Sequence, residues 1–250
     1  KVVSRMGIGL DNIDVATCNE LGIPVTNVPD YCLIEVAEHT LAAILALGRN
    51  IHDFHLKSKQ GVYSRDVAVP LKRLEGRTIG VVGLGHIGRT VVEKANALGF
   101  NVIGTRRDLS KPVAGCELMP FEQLLSKSDV VSLHLPLTET NHHMIGDREF
   151  SIMKDGCYLI NTARGGLVDH DALYKALESG KVAGAALDVQ DPEPPDLSES
   201  LMQDPRVIIT PHAAFISKES LIELRIGATK NSISVMMGES VPNIVNRGQF

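Results

Sequence analysis

Apolar positions along the chain fall into short, dense runs separated by amphipathic stretches. Thr78 to Val82 is apolar almost throughout, the pattern of a strand covered on both faces of a parallel sheet. After it the pattern alternates. A helix over about 87–98 leads to strand Val102-Ile103, and a helix over 121–126 leads to strand Val130 to Leu133. Strand Tyr158 to Asn161 precedes a helix over 169–179, and strands Val182 to Leu187 and Val207 to Ile209 follow. Strands alternating with helices predict an α/β fold built on a doubly wound parallel sheet. Upstream, Val2 to Arg5 and Pro24 to Val28 read as short strands, the first running into the glycine turn Met6-Gly7-Ile8-Gly9. From Leu33 to Lys59 small and apolar residues (Ala37, Leu41, Ile44, Leu45) recur at helix spacing, which predicts one long helix ended by Gly61. A last helix over Lys218 to Met237 leads to a Pro242 tail. Two lobes are expected: a dinucleotide domain over 49–214, and a second lobe from the flanking pieces 1–48 and 215–250.

Composition narrows the class. The 250 residues are 44% hydrophobic and 22% charged, ordinary for a globular protein with a sizeable core. Net charge is −5 and no basic cluster is present, so neither nucleic acid nor an anionic membrane is an expected partner. No apolar run reaches the roughly 18 residues of a membrane span. Cys18, Cys32, Cys116 and Cys157 are scattered and lack metal-ligand spacing; reduced thiols in a cytoplasmic protein are expected, with no metal. Lys1 opens the chain inside an apolar stretch, which suggests that a segment precedes it.

Gly83-Leu84-Gly85-His86-Ile87-Gly88 matches G-x-G-x-x-G between a predicted buried strand and a predicted helix. That context makes a weak pattern specific. The first glycine allows a tight turn, the second lets backbone approach a pyrophosphate, and the third lets helix and strand pack closely. The helix N-terminus then offers N–H groups to the phosphates, alongside His86 and Ile87. A Rossmann-type domain is the expectation. At the end of the next strand stand Thr105, Arg106 and Arg107, where an NAD-preferring site places an acid for the ribose 2′-hydroxyl. Paired guanidinium groups suit a 2′-phosphate instead, so NADP(H) is favoured and NAD(H) remains possible.

Four motifs in order carry a resemblance: Gly7 to Asp14, Gly83 to Gly88, Asn161-Thr162-Ala163-Arg164-Gly165-Gly166, and Thr210-Pro211-His212-Ala213-Ala214-Phe215, with Leu187-Asp188-Val189 and Glu193-Pro194 between the last two. The chain resembles the D-isomer-specific 2-hydroxyacid dehydrogenases. The run Asn27 to Cys32 looks like the branch that includes the C-terminal-binding-protein group. The resemblance implies a second, smaller, flavodoxin-like substrate lobe that is incomplete here. It implies hydride transfer between NAD(P)H and a small 2-keto or 2-hydroxy acid, of glyoxylate or hydroxypyruvate type.

It also assigns roles, which the chemistry of the side chains suits. Arg164, just past a strand, would bind the substrate carboxylate with its planar fork. His212 would exchange a proton with the substrate oxygen. Glu193 matches the carboxylate partner of that histidine; a neighbouring anion favours the imidazolium form, which serves carbonyl reduction. Asp188 matches an aspartate near the nicotinamide carboxamide. Thr162, Ala163 and Ala214 belong to the matched cofactor-site motifs, and Leu135-Pro136 matches the stretch lining the adenosine side. The turn Arg5-Met6-Gly7 matches the loop whose N–H groups receive the substrate carboxylate. The resemblance further implies a homodimer paired through the 33–59 helix and the segment to Pro70. Gln190 departs from the family, whose members usually carry an aromatic there. Two other readings stay open on the same fold. One is an NAD(H)-sensing, co-repressor-like interaction protein, against which Arg106 weighs. The other is a formate dehydrogenase, which lacks the acidic partner of the histidine. His52, His55, His142, His143 and His170 read as ordinary surface or packing histidines.

Overall fold

The computed structural model describes residues 1–66 and 71–246. Contacts divide them into two units, Lys1–Glu35 with Phe215–Phe250, and Val36–Ala214.

In the smaller unit, β1 (Val3–Ser4) and β2 (Val25–Thr26) pair in parallel, with α1 (Val15–Glu20) as the crossover between them. Asp14 caps α1 by accepting from the Thr17 N–H.

From β2 the chain enters α2 (Leu33–Gly48), which carries it into the larger unit and is followed by α3 (Ile51–Lys59). The expected single helix is broken here. Asn50 sits in the left-handed region at φ 52, tolerable for asparagine but incompatible with continued α-helix. Both Gly48 and Asn50 are helix-stop residues that the longer apolar period had masked. The arm expected to reach Pro70 lies partly outside the described residues.

The larger unit contains β3 (Thr78–Val82), α4 (His86–Ala97), β4 (Asn101–Thr105), β5 (Glu117–Leu118), α5 (Phe121–Lys127), β6 (Val130–Leu133), α6 (Asp147–Ile152), β7 (Cys157–Asn161), α7 (His170–Glu178), β8 (Val182–Leu187), α8 (Ser200–Gln203) and β9 (Val207–Ile209). The seven strands form one parallel sheet in the order β5-β4-β3-β6-β7-β8-β9. The chain winds outward from β3 in one direction and from β6 in the other. The predicted doubly wound α/β fold is therefore present, and β3 and β6 flank its switch point.

Strand residues alternate between two apolar layers, as the period of two requires. Leu159, Ala185 and Leu187 pack with Leu124 and Leu125 of α5, Phe150 of α6, and Leu173 and Leu177 of α7. Ile79, Val81, Ile160 and Ala186 face the other side, against Val91, Val92 and Ala95 of α4 and the Ala37, Leu41, Ile44 and Leu47 stripe of α2. Because that stripe is part of the sheet's core, α2 from Val36 onward belongs with the larger unit, and the boundary falls at 35/36 rather than 48/49.

The chain returns to the smaller unit in α9 (Lys218–Met236), opened by a capping box in which the Ser217 and Ser220 hydroxyls accept from each other's N–H groups at 2.8 and 2.9 Å. Ser217 also donates to Glu35 at 2.7 Å. Ser4 donates to the Ala228 carbonyl at 2.9 Å, tying α9 to β1. No helix among the described residues is long and apolar enough to cross a membrane.

Candidate active site

In an open parallel sheet, ligands gather beyond the carboxyl ends of the strands, at the point where the winding reverses. The glycine turn follows β3 and Leu135-Pro136 follows β6, so both stand at that point. Gly83 has φ +98, and a Cβ there would lie 2.5 Å from the His134 carbonyl oxygen. A Cβ on Gly88 would lie 2.0 Å from the Gly83 carbonyl. These two positions close the turn. Gly85 differs: it is the N-cap of α4, and a Cβ there meets nothing within 4 Å. The open space it leaves adjoins the free N–H groups of a twelve-residue helix with no acid in its first turn. His86 is exposed and Ile87 half-buried against the α2–α4 layer. The residues present therefore fit a dinucleotide pyrophosphate.

At the end of β4, Thr105 and Arg106 are half-buried and Arg107 is exposed. The next acid along the chain, Asp108, is engaged elsewhere. Its carboxylate accepts from the Ser110 hydroxyl at 2.6 Å and lies 3.4 Å from Lys111. The Ser110 bonds come first, with Arg106 a minor influence, in holding its carboxyl below the usual range. Beside the switch point, the His134 ring is desolvated, which pushes its pKa down to about 4; its Nε2 lies 2.8 Å from Ser132 Oγ.

Beyond β7, buried Asn161 clips the turn. Its Oδ1 accepts from the Ala163 N–H at 3.1 Å and its Nδ2 donates to the Arg164 carbonyl at 2.8 Å. Arg164 donates to the Ala163 carbonyl at 2.6 Å. Thr162 Oγ1 lies 3.1 Å from Thr40 Oγ1. A Cβ on Gly165 would meet the Gln190 backbone at 2.0 Å, so the turn carrying Arg164 is laid directly on the turn that follows β8.

The β8 and β9 ends are tied by Asp188, only 3% exposed. Its carboxylate accepts from Thr210 Oγ1 at 2.6 Å and from the Ala213 and Ala214 N–H groups at 2.8 and 3.0 Å. Its own carbonyl accepts from the His212 N–H at 2.7 Å. This clamp holds His212 in the left-handed region, at φ 51. His212 Nδ1 is 2.7 Å from Glu193 Oε1, with the side chains 44% and 40% exposed. At that exposure the pair orients the ring more than it stabilises the fold.

Arg5, Met6 and Gly7 lie in the smaller unit. Arg5 folds back to donate to the Met6 carbonyl at 2.5 Å, and its guanidinium lies 3.2 Å from where a Cβ on Gly7 would sit, at φ +150. The other candidate residues are all in the larger unit.

The structure adds partners that periodicity could not reveal. His39 Nε2 of α2 lies 3.1 Å from Thr210 Oγ1 and 3.8 Å from Asp188 Oδ1. Gln190 is buried, and its Oε1 has no hydrogen-bond partner among the described residues. Both sit on the sheet's carboxyl edge through contacts between segments distant in sequence.

A glycine turn at the switch point of a seven-stranded parallel sheet defines a nucleotide-binding α/β protein. Residues 41–214 match the model of the NAD binding domain of D-isomer specific 2-hydroxyacid dehydrogenases. A D-3-phosphoglycerate dehydrogenase of Methanocaldococcus jannaschii is 41% identical over 250 residues, covering 98% of this chain and 47% of that protein. A glyoxylate reductase of Aeropyrum pernix is 37% identical over 257 residues, covering 99% of this chain and 76% of that protein. A crystal structure of D-lactate dehydrogenase from Aquifex aeolicus, complexed with NAD and lactic acid, superimposes with a TM-score of 0.86. It is 36% identical, and the match covers 96% of this chain and 77% of that one. The chain belongs to the D-isomer specific 2-hydroxyacid dehydrogenase family. It spans about half the length of the phosphoglycerate dehydrogenases that it matches.

Proposed function

We propose that the protein reduces a small 2-keto acid of the glyoxylate or hydroxypyruvate type to its D-hydroxy acid, preferring NADPH. The observation that carries this reading is the 2.7 Å contact between His212, beyond β9, and Glu193, beyond β8, with Arg164 beyond β7, two strands from β9 in the same parallel sheet. Strands two apart are separated by about 10 Å, a span that two long side chains close around one small acid. Arg164 binds the substrate carboxylate bidentately and so orients its carbonyl. His212 presents Nε2 to the carbonyl oxygen and donates the proton, while Glu193 holds Nδ1 and fixes the ring. A nicotinamide cofactor, when bound, supplies the hydride to the carbonyl carbon. Gly83 to Gly88 would hold its pyrophosphate and Leu135 and Pro136 would line its adenosine side, with Thr162, Ala163, Asp188 and Ala214 completing the cofactor contacts.

Preference for NADPH rests on Arg106 and Arg107, since Asp108 spends its charge on Ser110 and Lys111. The family resemblance favours a homodimer, and four free thiols suit a reducing, cytoplasmic setting. The test is oxidation of NADPH and NADH by full-length protein against a panel of 2-keto acids. Turnover of a small keto acid is expected, with kcat/KM higher for NADPH; a clear NADH preference refutes the cofactor assignment. Arg164→Ala and His212→Ala are each expected to lower kcat/KM roughly a hundred- to ten-thousand-fold. Near-normal values in both would remove the enzyme reading.

A further inference from the structure

A second cluster of side chains lies on the same sheet edge and takes no part in that chemistry. We propose that His142, His143 and Asp191 form a binding site for a divalent transition-metal cation of the zinc or nickel type. Each side chain offers one ligand atom, and these atoms lie within 4.8 Å of one another. His142 Nε2 is 3.5 Å from Asp191 Oδ2, and the two imidazoles stack with centroids 3.9 Å apart. Tetrahedral zinc with bonds of about 2.1 Å holds its ligand atoms about 3.4 Å apart. The cluster needs a contraction of roughly 1.5 Å at most, within reach of side-chain torsions on three exposed residues.

The backbone, by contrast, is already set. His143 sits at φ 52, a left-handed conformation that a non-glycine residue holds only at some cost. It is kept there by its N–H donating to the Gly166 carbonyl at 2.7 Å. Gly166 also makes the room: a Cβ there would lie 3.0 Å from Asp191 Oδ2 and 3.2 Å from the His142 ring. Asp169 caps α7 with Oδ1, which accepts from Ala172 N at 3.0 Å, and turns Oδ2 toward His143 Nδ1 at 3.9 Å. A carboxylate beside a metal-binding imidazole orients the ring and raises its basicity. At the margin, His170 has a buried Nε2 without a hydrogen-bond partner among the described residues. Burial chiefly lowers its pKa, against the pull of Asp191 and Glu199.

Two imidazoles with one carboxylate select borderline cations over magnesium or calcium, which prefer all-oxygen sites. Adjacent histidines and an aspartate far along the chain make no spacing motif, which is why the sequence pattern revealed no metal site. Asp191 opens the turn that carries Glu193, so an occupied site would pin that turn to the 142–143 segment.

The test is calorimetric titration of tag-free, chelator-treated full-length protein with ZnCl2 and NiCl2, with MgCl2 as control. One zinc ion per chain is expected, with no comparable magnesium binding and a rise in Tm on adding zinc. His142→Ala, His143→Ala and Asp191→Asn should each weaken zinc binding by about tenfold or more, and His212→Ala should leave it unchanged. Absence of saturable binding in protein shown folded by circular dichroism would overturn the proposal. So would binding lost in His212→Ala but kept in His142→Ala, since that places the ion at the His212–Glu193 pair. None of these readouts depends on the reductase activity, so the two readings fail separately.

Discussion

Asp188 shows how one buried carboxylate can organise a candidate active site. Matched in sequence to a residue beside the nicotinamide, it spends its carboxylate on Thr210 and the N–H groups of Ala213 and Ala214. It thereby holds the strained turn at His212. Asp188→Asn presents an amide N–H2 to donors that need an acceptor. It should cost about 2–3 kcal/mol in urea denaturation and lower kcat/KM; unchanged stability and rate would show that the clamp is idle. His134 yields a pH prediction. Its imidazole falls from 6.5 to about 4 in the folded state, so between those values the unfolded chain binds a proton that the folded chain refuses. Stability is therefore full above pH 6.5 and declines toward pH 4, by up to about 3 kcal/mol. His170 shifts in the same direction, whereas the lowered carboxyls of Asp129 and Asp204 lose their contribution only below 3.8. His134→Gln should flatten the decline measured by urea unfolding between pH 6.5 and 4. Residue types and motif order singled out Arg164, Glu193 and His212, and the structure pairs the last two. The Asp188 clamp, His39 and the orphan oxygen of Gln190 were hidden, because each depends on segments that meet only after folding.

Among the elements, the glycine turn separates two physical roles that a motif lumps together. Gly88→Ala places a Cβ against the Gly83 carbonyl at 2.0 Å, so the helix must shift from the sheet. A loss of several kcal/mol is expected, of the order of other severe steric insertions. Gly85→Ala enters open space and should fold with stability within about 1 kcal/mol of the parent, yet raise the cofactor Kd measured by fluorescence titration. If Gly85→Ala binds cofactor normally, the space beside it is not the pyrophosphate site. Long elements with a clear period were legible, and β3, β6, β8 and β9 stand where the apolar runs put them. Short pieces such as α1, β5 and α8, with little apolar pattern of their own, were not. The break between α2 and α3 was missed because periodicity averages across the one left-handed residue, Asn50, that ends it.

In the whole molecule, α3 has no buried residue. Ile51, Leu56, Val62 and Tyr63 stand 56%, 52%, 51% and 98% exposed there and just beyond. Exposed apolar side chains of this kind suit an interaction surface, and the homodimer proposed above would set a second copy against them. Light scattering should give twice the 27.0 kDa of the chain, and Leu56→Glu should shift the mass toward the monomer; a monomeric parent protein refutes the dimer. Fold class needed no coordinates, because apolar period and glycine placement are local properties that any α/β chain must write into consecutive residues. The same holds for the order of the family motifs. Which carboxylate holds which ring, which helix joins which core, and where two histidines meet Asp191 are properties of chain crossings. They arise when parallel strands bring their carboxyl ends to one edge, and distance along the sequence carries no record of that approach.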